Sequence, residues 1–155
     1  MPIKIRTQQN ADIPNIITLY NMIVDNGGYS QSAPEFNRHI TEQDWLDWQA
    51  YYSEIARLVF EKDGKFYGFS TLRDMSSTEV IHEHLGVYDP LGPGVEEMWA
   101  IVDWIKSNTE YETMVMDRAD LTNVEHFDWL AEQLGAKLDA SSNMWFKELA
   151  TAVKP

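Results

Sequence analysis

Apolar and polar positions along this chain follow two different periods, and the changes between them define the predicted elements. Residues 3–6 alternate as a short strand does, and apolar residues then recur at helical spacing after the capping residue Asp12, at Ile13, Ile16, Ile17, Tyr20, Ile23 and Val24. Asn26-Gly27-Gly28 is predicted to end this helix, and residues 29–40 are predicted to form a loop. A second helix is predicted from a capping pair at Thr41 and Asp44 to about Ile55.

The pattern in the second half of the chain predicts most of the strands of a sheet. Asp63-Gly64 lies between two β-rich runs and predicts a hairpin, because a two-residue type I′ turn needs positive φ at both central residues. Further strands are predicted over 79–87, 111–116 and 143–149, with helices beginning near Val95 and Val124. The predicted order is β-α-α-β-β-β-α-β-α-β, an α+β fold in which helices flank a mixed sheet.

Composition narrows the range of functions. At 155 residues, with 44% hydrophobic residues, we expect a single domain over 1–155 with a proper core. The formal charge of −13 argues against binding to nucleic acid or to an anionic membrane, since both need basic surfaces. The chain has no Cys, and we find no signal-peptide core or membrane-spanning run, so a cytoplasmic protein is expected.

The turn Gly92-Pro93-Gly94 between a strand and a helix is the candidate binding motif. Backbone N–H groups at such a turn, together with the helix dipole, favour an anion. This arrangement is typical of folds that bind a diphosphate-bearing cofactor.

Three segments in this order resemble the GNAT superfamily of acyl-CoA N-acyltransferases. They are residues 59–68, with an acidic-Gly turn before Gly68, residues 87–95, and the helix–Gly–strand block of residues 130–138 with 144–147. The resemblance implies acyl transfer, with acetyl-CoA as co-substrate, to a primary amine. It also implies that the backbone of Leu85 and Val87 pairs with the pantetheine arm and that the amides of Gly92, Gly94 and Val95 face the diphosphate. Asn123 resembles a polar residue of the family near the cofactor, and capping of the fourth helix is its alternative role.

The chain departs from the family pattern at several positions. Asp89 or Leu91 stands where a basic or amide residue is usual, Glu96 adds a second carboxylate, and Pro93 lacks a backbone donor. Ala131 stands at the usual position of the tyrosine that returns a proton to the thiolate. A plain helix-entry turn that does not bind CoA is therefore an open alternative.

Glu83 is the candidate catalytic base. Simple alternation places Ile81, Glu83, Leu85 and Val87 on one face of the strand, with His82 and His84 on the other. Apolar neighbours would favour the neutral acid and tune Glu83 toward the range that a general base needs. A surface carboxylate is its alternative, and the two histidines are expected to face solvent rather than bind a metal.

The acceptor site is expected near the first two helices. Trp45 and Trp48 lie at helical spacing, and together with Tyr29 they could line a substrate pocket or belong to the core. The acidic composition favours a cationic acceptor, either a small-molecule amine or a lysine-bearing protein.

Other functions stay open at this point. A GNAT-like module without catalysis, of the kind found in bacteriophage virion proteins, is the second hypothesis, and an acidic DNA mimic is the third. The sequence leaves the oligomeric state undecided, with a homodimer as one option.

Overall fold

A seven-stranded mixed sheet with four α-helices makes up the described part of the chain in this computed structural model. The structure describes residues 3–27, 34–89, 92–118 and 124–155. The elements in chain order are β1 (Lys4–Thr7), α1 (Ile13–Asp25), α2 (Glu42–Tyr51), β2 (Glu54–Lys62), β3 (Lys65–Asp74), β4 (Glu79–Val87), α3 (Val95–Asn108), β5 (Thr113–Asp117), α4 (Val124–Gln133), β6 (Lys137–Asp139) and β7 (Met144–Glu148). The strands are arranged β1-β2-β3-β4-β5-β7-β6. The predicted α+β class, with helices beside a mixed sheet, is confirmed.

The hairpin between β2 and β3 forms as its sequence predicts. Asp63 has φ 53° and Gly64 has φ 73°, so both central residues adopt the left-handed conformation that a type I′ turn requires. The two strands then pair in antiparallel register, with Lys62 opposite Lys65.

The helix α2 begins as predicted but ends earlier. Thr41 Oγ1 accepts the amide of Asp44, and the Asp44 carboxylate accepts the amide of Thr41, which completes a capping box. The expected end near Ile55 is wrong, because β2 already begins at Glu54. Ser53 has φ 52°, a left-handed residue that separates the helix from the strand.

The predicted element order is also incomplete, because it lacks the strand β6. This strand has three exposed residues and pairs with β7 through Lys137 and Phe146. A segment this short has too few positions for a hydrophobic alternation to appear.

The sheet has one hydrophobic core on each face. On one face, Leu58, Phe60, Leu72 and Val80 pack against residues of α3 and α4 such as Met98, Ile101 and Leu130. On the other face, Val59 and Phe69 pack against α1 and α2 through Ile16, Tyr20, Trp45 and Trp48. Alternate residues of β2 therefore belong to different cores, as the two-residue period of a strand requires.

An ion pair fixes the position of α4 relative to the end of β5. Arg118, which follows β5, donates from Nε and Nη2 to the two carboxylate oxygens of Asp128 at 2.9 and 2.8 Å. The indole of Trp145 in β7 donates to the same carboxylate at 2.8 Å. Bidentate pairs of this kind add geometric definition, so α4 is held against both strands.

No helix in the described ranges is both long enough and apolar enough to cross a lipid bilayer.

Candidate functional site

The strand β4 contains a bulge that changes which side chains share a face. Phe69 is opposite Gly86, but Thr71 is opposite Glu83, so β4 has one more residue than β3 over this stretch. His84 has φ 48°, the left-handed conformation that absorbs the extra residue. The strict alternation expected along residues 81–87 is therefore wrong beyond Glu83.

The strands β4 and β5 are parallel and separate beyond the first three pairs. Their register joins Glu79–Ile81 to Thr113–Val115, and within the described residues the pairing extends no further. The later part of β4 consequently has an edge toward β5 that carries no β5 pairing. We call this region the β4–β5 opening, bounded by residues 82–87 of β4 and 116–117 of β5.

The backbone of Leu85 and Val87 is directed into the β4–β5 opening. The amide of Tyr88 donates to the carbonyl of Tyr67 in β3 at 3.0 Å. Successive residues of a strand direct their N–H and C=O groups to opposite edges, so Val87 and Leu85 direct theirs away from β3. The contact of both residues with a cofactor, which the resemblance implies, stays a prediction.

The backbone groups of the turn before α3 form hydrogen bonds within the chain itself. The amide of Gly92, which has φ +85°, donates to the carbonyl of Asp89 at 2.9 Å. The amide of Gly94 donates to Glu97 Oε2, also at 2.9 Å, and Val95 is the first residue of α3. His126 Nε2 of α4 donates to the Pro93 carbonyl at 2.7 Å. The amides of Gly92 and Gly94 are thus both engaged within the chain, and the contact of this turn with a diphosphate stays a prediction.

Glu83 lies on the α1–α2 face of the sheet, opposite Thr71. Arg73 donates to its Oε1 from Nε at 3.0 Å and from Nη2 at 2.7 Å, and the Glu83 side chain is 25% exposed. The apolar surroundings expected for Glu83 are wrong, because a guanidinium is its nearest partner. Its catalytic role is a prediction that this geometry leaves open.

Neither histidine of β4 is a solvent-facing side chain as expected, because His82 is buried and His84 is half-buried. His82 is only 8% exposed, is paired opposite Leu72, and lies 2.6 Å from Ser70 Oγ through Nε2. His84 stacks on Trp48 on the other face, with ring centroids 5.6 Å apart. Burial lowers the pKa of His82 to about 4 and that of His84 to about 4. Both imidazoles are therefore neutral at neutral pH.

The structure brings together no group of three metal-binding side chains among the residues it describes.

Aromatic side chains of α2 and the preceding segment lie against the β4 bulge. Trp48 is 8% exposed and contacts the rings of Phe36 and His84. The ring centroids of Tyr52 and Phe36 are 5.9 Å apart. We call Phe36, Trp48, Tyr52 and His84 the aromatic wall. Trp45 is 1% exposed, and its indole donates to Gln8 Oε1 at 2.8 Å, which favours the core alternative for this residue.

Two carboxylates are close to the aromatic wall. Burial raises the pKa of the Tyr52 hydroxyl, and the charges of Glu35 and Glu83 raise it further. Two guanidinium groups also act here, because the charges of Arg73 and Arg57 help burial to lower the pKa of His84. The predicted residues Tyr29 and Asn123 lie outside the described residues.

Three residues of this site were missed from the sequence. Phe36 lies in a predicted loop that has no periodic pattern, and the role of Arg73 depends on the β3–β4 register, so neither had a local signal. Glu97 did have one. It stands three residues after Gly94, which is the spacing of a capping carboxylate at the start of a helix.

Comparison with solved structures identifies the fold, although no protein-family model and no curated protein matches the sequence. The chain is similar to an N-acetyltransferase from Staphylococcus aureus Mu50, with 18% identity over 96% of this chain and 99% of that one and a TM-score of 0.66. It is also similar to a ribosomal-protein-alanine N-acetyltransferase from Brucella melitensis, with 15% identity over 94% of this chain and 99% of that one and a TM-score of 0.67.

A third similar structure is the aminoglycoside acetyltransferase AAC(6')-Ib in complex with ribostamycin and coenzyme A. It is 12% identical over 96% of this chain and 94% of that one, with a TM-score of 0.73. Near-complete coverage in both directions means that the similarity extends over the whole fold. The chain has the fold of the GNAT acyl-CoA N-acyltransferases.

Proposed function

We propose that this protein is an N-acyltransferase that moves an acetyl or other acyl group from acyl-CoA to a primary amine. The observation that carries this proposal is the β4–β5 opening, toward which the backbone of Leu85 and Val87 is directed. Backbone groups on an open strand edge can pair with the amides of a pantetheine arm. Acyl-CoA, as co-substrate, would supply the acyl group in activated form as a thioester.

In the proposed reaction, the amine nitrogen attacks the thioester carbonyl carbon, so that a C–N bond forms and the C–S bond breaks. The amine first has to lose a proton, and Glu83 is the group proposed to accept it, directly or through one water. Arg73 holds the Glu83 carboxylate in one orientation through two hydrogen bonds. Ala131 is fully buried and has no acidic proton, so the departing thiolate takes its proton from water.

The acceptor proposed for this site is a cationic amine. Aromatic rings attract a cation through their faces, and the nearby carboxylates Glu35 and Glu83 add a favourable Coulomb interaction. Polyamines, aminoglycosides and lysine-bearing proteins have this chemistry. The net charge of −13 would also concentrate such acceptors near the protein.

A second candidate function has one specific observation in its favour. Because the amides of Gly92 and Gly94 are hydrogen-bonded within the chain, the fold could act as a binding module without an acyl donor. Thermal unfolding separates the two candidates. Saturating acetyl-CoA at about 100 times its Kd would stabilise the protein by about 2.7 kcal/mol, whereas a binding module would show no shift.

The chemical role is tested by replacing Glu83 with Gln and measuring release of free thiol from acetyl-CoA in the presence of a polyamine. We expect kcat to fall on the order of 10²-fold, because general-base catalysis typically contributes at least that much. Glu79→Gln, on the same strand but outside the bulge, is the matched control. Equal rates for the wild type and Glu83→Gln would remove Glu83 from the mechanism.

A further inference from the structure

The start of α3 is occupied by a carboxylate of the chain itself. Glu97 is only 4% exposed, and its Oε2 accepts the Gly94 amide at 2.9 Å. A Cβ added to Gly94 would lie 2.9 Å from that same oxygen, so carboxylate and turn are in close contact. A buried negative charge therefore sits at the positive end of the helix dipole, where an incoming anion would bind.

The other backbone polar groups of the turn are also unavailable to a ligand. Gly92 donates to Asp89, Pro93 has no N–H, and the Pro93 carbonyl is held by His126. Three consecutive residues, 92–94, thus offer no unengaged amide to a phosphate in this conformation. A diphosphate can use the Gly94 amide only after it displaces Glu97, and it then faces that displaced charge at short range.

Lys62 is a basic residue whose charge acts on the carboxylates of this turn. Its ammonium lies 4.1 Å from the centre of the Tyr67 ring. Its pKa is raised, chiefly by a side-chain interaction with Tyr67, and the charges of Glu97 and Glu96 also contribute. The lysine is therefore already engaged with groups of the chain itself.

From these contacts we infer that Glu97 is a specificity-determining residue for the acyl donor, one that discriminates against the diphosphate while leaving the thioester arm unaffected. The inference rests on the proposed function, since it concerns the donor of that same site. The β4–β5 opening would bind the pantetheine arm, and Glu97 would remove most of the affinity that a diphosphate normally adds.

Binding of CoA and of pantetheine, measured by calorimetry, tests this inference. In the wild type we expect CoA to bind no more than about threefold more tightly than pantetheine, because the charge of Glu97 offsets the diphosphate contact. In Glu97→Gln, which keeps an oxygen to cap Gly94 but removes the charge, CoA affinity should rise about tenfold and pantetheine affinity should stay within twofold.

Glu96→Gln is the matched control, because it removes the same formal charge from an exposed neighbour. An equal gain in CoA affinity from Glu96→Gln would overturn the inference, since a general charge effect would then explain it. It would also be overturned if Glu97→Gln left CoA affinity unchanged, or if the wild type bound CoA much more tightly than pantetheine. The wild-type comparison keeps the test decisive even if Glu97→Gln fails to fold.

The same proteins separate this inference from the proposed function. If S-acetylpantetheine and acetyl-CoA both bind but neither donates its acetyl group to an amine, the transferase proposal fails while the role of Glu97 in selectivity stands. If wild-type protein transfers acetyl groups efficiently from acetyl-CoA and Glu97→Gln changes neither affinity nor KM, the transferase proposal stands and the inference fails.

Discussion

His82 is a neutral imidazole enclosed between the sheet and its α3–α4 core. Burial lowers its pKa to about 4, well below the value near 6.5 that is ordinary for an unfolded chain. The unfolded state therefore binds a proton more readily than the folded state between those two pH values. It follows that His82 contributes stability that is fully present above about pH 6.5 and is lost as pH falls toward 4.

We accordingly expect His82→Gln to weaken the acid sensitivity of the protein. Urea unfolding at about pH 7 and at about pH 4.5 should show a loss in the wild type that is on the order of 2 kcal/mol larger than in His82→Gln. Identical losses in the two proteins would show that His82 is not buried as a neutral group.

The individual residues of the site were harder to place from sequence than the elements. Alternation predicted that Glu83 has apolar neighbours and that His82 and His84 share a solvent-facing side. One left-handed residue, His84, changes that assignment, and no local pattern marks it because residues other than glycine rarely adopt positive φ. The partner of Glu83 depends on the β3–β4 register, which is a property of tertiary structure.

At the scale of elements, the close approach of β3 to the end of β4 requires a glycine in β3. A Cβ at Gly68 would lie 2.3 Å from the carbonyl oxygen of Gly86 and 2.8 Å from Val87 Cγ1, so any side chain there would force β3 and β4 apart. The glycine that resembled a family position in the sequence thus has a physical role in shaping the edge of the β4–β5 opening.

Gly68→Ala should therefore lower stability and donor affinity together. We expect a loss of about 1–3 kcal/mol in urea unfolding, since the clash involves backbone and must be relieved by strand movement. Calorimetric affinity for pantetheine should fall as well, because Val87 moves.

Gly135→Ala, at a position with φ +73° beyond α4, is the matched control for this prediction. Because of backbone strain, this substitution should lower the free energy of unfolding by about 1–2 kcal/mol, and it should leave the affinity for pantetheine unchanged. Loss of affinity in both variants would mean that general destabilisation, and not the β3–β4 contact, weakens binding.

Elements with their own chemical signal were predicted well. The Asp63-Gly64 hairpin and the Thr41–Asp44 capping box need only neighbouring residues, and both formed as expected. The end of α2 and the strand β6 were missed because neither carries such a signal. Ile55 continued an apolar helical pattern into what is β2, and β6 exists mainly through its pairing with β7.

For the whole molecule, the order of the elements was enough to predict the fold class but not the binding geometry. The parallel pairing of β4 with β5 is the arrangement that a strand–helix–strand connection favours, whereas the place of β6 at the edge of the sheet was not predicted. The β4–β5 opening arises where this pairing stops after Ile81 and Val115, and the closure of the α3 turn arises from contacts among residues of two helices. The end of the β4–β5 pairing and the contact of His126 with Pro93 depend on distances between segments far apart in sequence, whereas the contact of Glu97 with Gly94 is local.

Net charge is the property of the whole molecule that should govern acceptor capture. A formal charge of −13 attracts cations over a distance set by the Debye length, which falls from about 30 Å at 10 mM salt to about 8 Å at 0.15 M. KM for a polyamine acceptor should therefore rise about three- to tenfold between these salt concentrations, with kcat nearly unchanged. A monoamine of similar size is the control, and its KM should change less than twofold because it carries one charge. A polyamine KM that does not respond to salt would show that recognition depends on the aromatic wall and local contacts rather than on the field of the whole protein.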